Sequence, residues 1–463
     1  MTRGRTKPLF TPIKRNVMTV PGMHGGYLQS TEVEPMEFIQ PIAFIARDDE
    51  TALDLKDELA EWLITDEPVE LQFDDEPGRT YFALVQNTIE DFERISILRQ
   101  GSINFLCLDP YGYSDEKPFL FPSDAVNLTN AGTADADPVF ELEVLKPVTF
   151  AMVQNQNEEY MMIGRPLSVS EEVVNTRTLL LEERGQTLDS WASASTSVDG
   201  GVVVGNLSTD NDGITVPNYG TGDKWHGPAL IKEVPVAQDF EVEMMLEGRF
   251  ASVNQTYRVE FYLFDENMNP LGKMAIVENS VGITKVKAEG RIGPFLGRQQ
   301  NYLISGNNYE YNWRTFYGML RMRRVGNAFE FYVTRVNNEN KHVYTLSKKF
   351  IDANNEFSGQ LKYVQIHIGK FADTPKAANA KINHIKVYEL TQATEDQTPY
   401  IAQTNDVITF DHVNDEILIN GEDRKDLKDF GASYFQLAKG GNALVVHPDD
   451  SFETRVKYRN RYR

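Results

Sequence analysis

Apolar residues recur at every second position along most of this chain and at helical spacing in one place. Val69 to Phe73, Tyr81 to Gln86, Phe240 to Leu246, Tyr257 to Phe264, Thr315 to Arg324, Phe329 to Val336, Tyr363 to Ile368 and Ile382 to Leu390 read as strands between Gly, Asn, Asp and Pro boundaries. A period of two sends neighbouring side chains to opposite faces of a strand, which confines the chain to sheet architectures. The exception is Leu55, Leu59, Trp62 and Leu63, spaced i, i+4, i+7 and i+8 behind Asp48 or Asp49 as cap and ahead of Pro68. The expectation is a mainly β protein with one helix.

Two polar, acid-rich connectors, Ser168 to Thr178 and Thr391 to Thr398, divide the 463 residues, a length that suggests roughly three domains. Residues 1–122 form an N-terminal β-domain holding the helix, with a further strand run from Ile95 to Leu108. The turn-rich stretch 123–138 opens a second unit whose strands, Val139 to Leu145 and Val148 to Val153, are too few for a core. Beyond 398, Val407 to Asp411, Glu416 to Asn420 with an Asn420-Gly421 hairpin, Tyr434 to Leu437, and Ala443 to His447 are also too few. Joining 123–170 to 399–463 makes one split domain. Residues 171–398 then form an insert whose regularly spaced strands, with a tight hairpin at Val325-Gly326-Asn327, indicate a jelly roll or sandwich.

No run of 18 apolar residues and no charged-then-apolar leader is found, which argues against membrane insertion and secretion and for assembly in a cytoplasm. Cys107, the single cysteine, excludes an intrachain disulfide and alternates with Ile103 and Phe105 as a core residue. The formal charge of −22 opposes tight phosphate binding. Both ends are nevertheless basic: residues 1–15 hold five cations and no acid, and Arg455, Lys457, Arg459, Arg461 and Arg463 fall on one face of an extended strand. That strip reads either as a charge-protected edge or as a docking strip for an acidic partner surface.

Enzyme constellations are missing. There is no Gly-x-Ser-x-Gly elbow, His-Glu-x-x-His or Gly-x-x-x-x-Gly-Lys, and the 7 histidines are scattered. Glu241 and Glu243 share a strand face, as a glycosidase pair could, but alternating acids more often form a solvated face. Ser208-Thr-Asp210-Asn-Asp212-Gly213 opens like a calcium loop, yet Tyr219 stands where the bidentate Glu belongs, so an Asx-rich turn is the better reading and structural calcium the weaker one. No catalytic residue, metal ligand or cofactor site is assigned. Saccharide recognition asks for exposed flat aromatics beside amides and carboxylates. Tyr309, Tyr311, Trp313 and Tyr317 share one parity and are candidates, against the alternative that they are core. Trp225, in the Gly-rich loop Gly222 to Gly227, is the strongest single candidate.

Three places carry a resemblance to a family. The helix is followed by Glu70-Leu71-Gln72-Phe73, Pro77-Gly78-Arg79-Thr80-Tyr81 and Phe105 to Tyr113. Asn130 to Pro138 opens the second unit, and the chain closes on Asp406 to Asp411, Asn420-Gly421, Phe435-Gln436-Leu437, Gly440-Gly441-Asn442 and a basic last strand. In this order they resemble the distal tail protein (Dit) family of long-tailed phages. The resemblance implies a virion protein of the distal tail: a homo-hexameric ring between the tail tube protein and the tail-tip or fibre protein, through which DNA passes without specific contact. It also implies a galectin-like C-terminal sandwich, here interrupted by an insert similar to carbohydrate-binding jelly rolls that would bind host cell-surface saccharide. The function expected is structural and adhesive, without catalysis. The alternative is a cell-wall glycan-degrading tail enzyme with its catalytic site in the insert.

Overall fold

The computed structural model describes residues 4–87, 93–95, 97–168, 170–194, 198–283, 285–296, 301–306 and 312–463. The candidates Tyr309 and Tyr311 lie outside the described residues. The chain is mainly β, with one α-helix among the described residues. That helix, Asp49–Leu63, starts behind Asp48, whose carboxylate accepts the Thr51 N–H at 2.8 Å and so satisfies an otherwise orphaned donor. Its apolar stripe is not sunk in a core: Ala52 is its one buried residue, and Trp62 is 74% exposed.

The N-terminal sheet runs Met36–Ile45, Leu98–Cys107, Thr80–Asn87, Gly112–Tyr113 and Arg461–Tyr462, so its last strand is supplied by the far end of the chain. Phe38, Tyr81, Ala83 and Cys107 form its small core. Burial there pushes the Cys107 thiol up to about 12, which leaves it an unreactive core residue. The hairpin Ile13–Met18 with Tyr27–Val33 pairs with no other sheet among the described residues and exposes Val17, Met18, Tyr27 and Leu28.

A second sandwich is assembled from segments far apart in sequence. One sheet orders Ala125–Asn130, Gly440–His447, Phe150–Asn155 and Tyr160–Gly164; the other orders Glu422–Asp423, Glu416–Ile419, Val407–Asp411, Val139–Val144, Phe452–Tyr458 and Lys117–Leu120. Phe140, Leu142, Val153, Phe410, Leu444 and Val456 alternate inward to make its core. The expected strand Tyr434 to Leu437 does not form. Its Phe435 N–H bonds the His412 ring at 2.8 Å and only Leu437 pairs, through one bridge to Ala136, so no ladder builds.

Between these segments lies the largest core, a central sandwich of an eight-stranded and a nine-stranded sheet among the described residues. The first includes Phe240–Arg249, Thr315–Val325, Ala328–Val336 and Asn379–Leu390; the second is centred on Leu361–Phe371, Tyr257–Phe264, Pro270–Glu278 and Lys287–Ile292. Gly326-Asn327 makes the tight turn read from the sequence, with Val325 opposite Ala328.

The central sandwich is fastened to the split one. Arg321 grips Glu422 with two bonds of 2.7 Å, Lys341 reaches Glu416 at 3.1 Å, and the His342 N–H bonds the Gly421 carbonyl at 2.9 Å. Gly421 stands at φ +82 in the hairpin, where a methyl group would overlap the Asn340 carbonyl. The two connectors run side by side, Glu172–Val174 parallel to Gln397–Pro399.

Candidate binding face

Every residue of the strand Tyr257–Phe264 is buried, on both faces. Val259, Phe261 and Leu263 point into the sandwich core; Arg258, Glu260 and Tyr262 point the other way. Register carries this second row across the sheet: Glu260 lies opposite His367, Tyr262 opposite Lys273, and Lys273 opposite Arg291, while Glu289 sits one strand beyond Ala275.

Ion pairing holds the row together. Glu260 is 2.7 Å from Arg258, 2.9 Å from Lys273 and 2.7 Å from His367 Nδ1, and it accepts the Tyr262 hydroxyl at 2.8 Å. Lys273 also bonds Glu289 at 2.9 Å. Burial works to raise the Glu260 pKa, but Arg258 and Lys273 outweigh it and hold the carboxyl well below its ordinary range. Burial likewise lowers His367 below the usual imidazole value, so the ring is neutral beside two cations. Arg258 Nε faces Glu260 at ion-pair distance but out of line for a hydrogen bond, and Arg258 Nη2 and His367 Nε2 have no hydrogen-bond partner.

At one end this row reaches the surface under Trp225. That residue begins the short strand Trp225–Gly227, which pairs with Leu361–Phe371 on one side and Gly201–Val203 on the other. Its ring meets Phe371 edge-on at 5.6 Å, and the Arg258 guanidinium lies 4.7 Å from its centroid. Trp225 is partly buried and Phe371 is 40% exposed. An aromatic surface thus adjoins a polar interior, which is the chemistry that engages the apolar face and the hydroxyls of a sugar ring.

The remaining candidates separate. Trp313 is fully buried, with its indole N–H donating to the Tyr344 carbonyl at 3.2 Å, so its ring offers no face for stacking. Tyr317 is 41% exposed and lines a cleft of about 1230 Å³ between the central sandwich and the rest, together with Phe82, Tyr113, Asn340, Lys341 and Tyr458. The shared parity fails because the strand begins only at Thr315, and residues 312–314 turn before it. Glu241 and Glu243, on the outer face of the other sheet, are bound by one guanidinium, Arg177, at 2.6 and 2.9 Å. Asp210 and Asp212 close a hairpin and both pair with Lys381 at 2.9 Å; among the described residues no group of three or more metal-ligating side chains is gathered.

The C-terminal strip is largely spent inside the chain. Lys457 bonds Glu141 at 2.6 Å, Arg461 bonds Asp137 at 2.7 Å, Arg455 pairs with Glu453 at 2.5 Å, and Arg459 reaches Glu70 at 3.7 Å. Arg463 donates its main-chain N–H to Thr133 and is exposed. The single-face expectation holds for 455, 457 and 459, which alternate with buried Thr454, Val456 and Tyr458. Much of the acidic surface they meet is this chain's own, and Arg455 and Arg463 remain the exposed members of the strip.

Sequence reasoning missed the buried row. Its signal is visible in Arg258-Val-Glu260-Phe and Lys287-Ala-Glu289-Gly-Arg291, charges at alternate positions of apolar strands. What hides them is a covering segment that alternation cannot reveal.

Two family models match the chain: a phage tail protein RIFT-related domain over residues 2–107, and the C-terminal domain of a siphovirus-type tail component over residues 371–462. No curated protein matches it. Among solved structures it is similar to the Dit protein of phage SPP1, at 19% identity over 36% of this chain and 69% of that one, TM-score 0.32. It is also similar to the CBM2 module of the evolved Dit of Lactobacillus casei BL23 phage J-1, at 12% identity over 48% and 100%, TM-score 0.41. A third likeness is to a Bacillus licheniformis β-glucanase, at 12% identity over 46% and 99%, TM-score 0.29.

Proposed function

We propose that the protein is a tail component of the distal-tail (Dit) kind, a structural hub of the tail tip that also adheres to saccharide on the host surface; a phage tail RIFT-related match at one end and a siphovirus-type tail component match at the other support this reading. In this reading residues 1–122 build a six-membered ring between the tail tube and the tail-tip or fibre protein. Residues 123–170 and 399–463 form the split scaffold, and residues 171–398 are the adhesive insert. The ring is supported by two unpartnered apolar surfaces on one subunit, the hairpin with Val17, Met18, Tyr27 and Leu28 and the helix with Leu53 and Trp62. Different surfaces meeting head to tail close into a ring when the rotation permits. Six copies would multiply weak single-site binding by avidity.

One observation carries the adhesive part: Trp225 and Phe371 form an aromatic surface over Arg258 at the open end of a polar row. We read the chain as a binder without catalysis, since the carboxylate pair Glu241 and Glu243 is held by Arg177. Purified full chain should appear in negative stain as six-fold rings with peripheral lobes; monomers at every concentration would overturn the ring. It should sediment with host cell wall, and Trp225→Ala should weaken that by about tenfold or more. Release of reducing sugar from the wall would instead make it a degrading enzyme.

A further inference from the structure

The outer side of the buried row is closed by the chain itself. Asp199 projects from the segment 198–203 onto it, and its carboxylate accepts Arg291 Nη2 at 3.0 and 3.1 Å, Arg291 Nε at 3.2 Å and the Tyr302 hydroxyl at 3.1 Å, with Lys273 Nζ at 3.5 Å. Its main chain is held too: the Asp199 N–H bonds the Tyr262 hydroxyl at 3.0 Å, and Arg258 Nη1 bonds the Asp199 carbonyl at 2.9 Å. A guanidinium fork, a phenol and an ammonium converging on one carboxylate make a receptor for an oxyanion, carboxylate or phosphate.

Charge completes the argument. The row holds four cations, Arg258, Lys273 and Arg291 in its buried part and Lys287 at its rim 3.2 Å from Glu289, against two acids of its own, Glu260 and Glu289, while burial lowers His367 below the usual imidazole value. Asp199 supplies a third negative charge, placed on the buried cations Arg291 and Lys273. A neutral molecule in its place would leave a buried cation uncompensated, whereas an anion would restore the balance. Two further observations point to a ligand at this face rather than to a finished core. Arg258 Nη2 and His367 Nε2 are buried donor or acceptor atoms with no partner. The segment bearing Asp199 is also tied to the aromatic surface, because Gly201–Val203 pairs with Trp225–Gly227.

Resting on the saccharide reading above, we propose that the ligand of this face is an anionic glycan, whose carboxylate or phosphate group takes the Arg291, Tyr302 and Lys273 site that Asp199 fills in its absence. Asp199 is then an internal competitor. Displacing it frees the segment 198–203, whose Gly200 stands at φ +63 with open space around it, and moves the strand that carries Trp225.

The test uses the full chain with three probes: a galacturonate trisaccharide, a glycerol-phosphate oligomer and a neutral N-acetylglucosamine trisaccharide. Asp199→Asn keeps the shape and removes the charge. It should raise affinity for one or both anionic probes at least tenfold over the unaltered chain and leave the neutral probe unchanged; the probe that gains names carboxylate or phosphate as the source. Arg291→Gln added to Asp199→Asn should abolish the gain. A folded Asp199→Asn protein with no gain for either anion, or with an equal gain for the neutral probe, overturns the proposal. Should that variant not fold, hydrogen exchange on the unaltered chain decides: anionic probes at saturation should speed exchange at residues 200–203, and unchanged exchange overturns it. If Trp225→Ala abolishes wall binding while Asp199→Asn gains nothing, this proposal falls and the saccharide reading stands. If Trp225→Ala leaves wall binding intact, the saccharide reading falls.

Discussion

The two outer faces of the central sandwich carry the same side chains under opposite conditions. On one, Arg177, Glu241, Glu243 and Arg321 pair in a chain that is partly open to water and ends on Glu422 of the split scaffold. On the other, Arg258, Glu260, Lys273 and Arg291 pair out of reach of water beneath the segment carrying Asp199. Ion pairs near water contribute little net energy and mainly fix an orientation. Sealed ones cost so much to desolvate that each member depends on its partner. The first face therefore acts as a fastening, and the second as a demand for a counter-charge.

The sharpest way to break this contrast is Lys273→Ala. It removes the buried cation shared by Glu260 and Glu289, leaving the first to Arg258 and the second to Lys287 at the rim, and about 3–5 kcal/mol of unfolding free energy should be lost in a denaturant titration; a loss within about 1 kcal/mol would make the two faces equivalent. Next comes acid. His412, in the split scaffold, is lowered to about 4 by burial, against an ordinary value of 6.5. Its neutral form stabilises the fold fully above the unfolded value, and that contribution fades as pH falls from about 6.5 toward 4, because the unfolded chain binds the proton first. The effect is on the order of 3 kcal/mol at full protonation, and His412→Gln should flatten the slope of stability against pH in that window. The Glu422 carboxyl is held below its ordinary value by Arg321 against the opposing effect of burial, so the fastening should weaken only at lower pH, as that carboxylate titrates.

Gly421→Ala addresses the fastening directly. It requires a side chain at φ +82 against the Asn340 carbonyl and should cost about 1–3 kcal/mol, measured as faster proteolysis within the connectors 168–178 and 391–398. The smallest effect belongs to Arg321→Ala paired with Glu422→Gln, where a double-mutant cycle should return a coupling of about 1 kcal/mol. A coupling as large as the Lys273 effect would erase the distinction between the faces.

Much of the fold was legible because alternation and turn chemistry are local. Asp48 as cap, the helix, and the hairpins at Gly326-Asn327 and Asn420-Gly421 formed where their residues required. The two charged faces were not separable in the sequence. Glu241 and Glu243 alternate just as Arg258 and Glu260 do, and whether such a row meets water depends on a segment some 60 residues away for Arg258, Asp199, whose contact is tertiary. Trp313 and Tyr317 parted for a related reason: parity holds only within a strand, and Trp313 lies in the turn before the strand that carries Tyr317, so the first is buried while the second stays exposed. Tyr434 to Leu437 had a strand's composition, but His412 took up the backbone donor that a ladder would have needed.

The side-by-side pairing of Glu172–Val174 with Gln397–Pro399 has a consequence for biogenesis. Chain emerges from the ribosome in sequence order, and domains fold as they become complete. The central sandwich is whole once residue 390 has emerged, whereas the split one still lacks Val407–Asp411, Gly440–His447 and Phe452–Tyr458. Had the intervening residues been coil, pairing Val139–Val144 with Val407–Asp411 would mean closing a very long loop. A finished sandwich with adjacent entry and exit shortens that loop to its two connectors. The insertion thus works as a clasp on the nascent chain, holding the early half of the scaffold ready for strands not yet made.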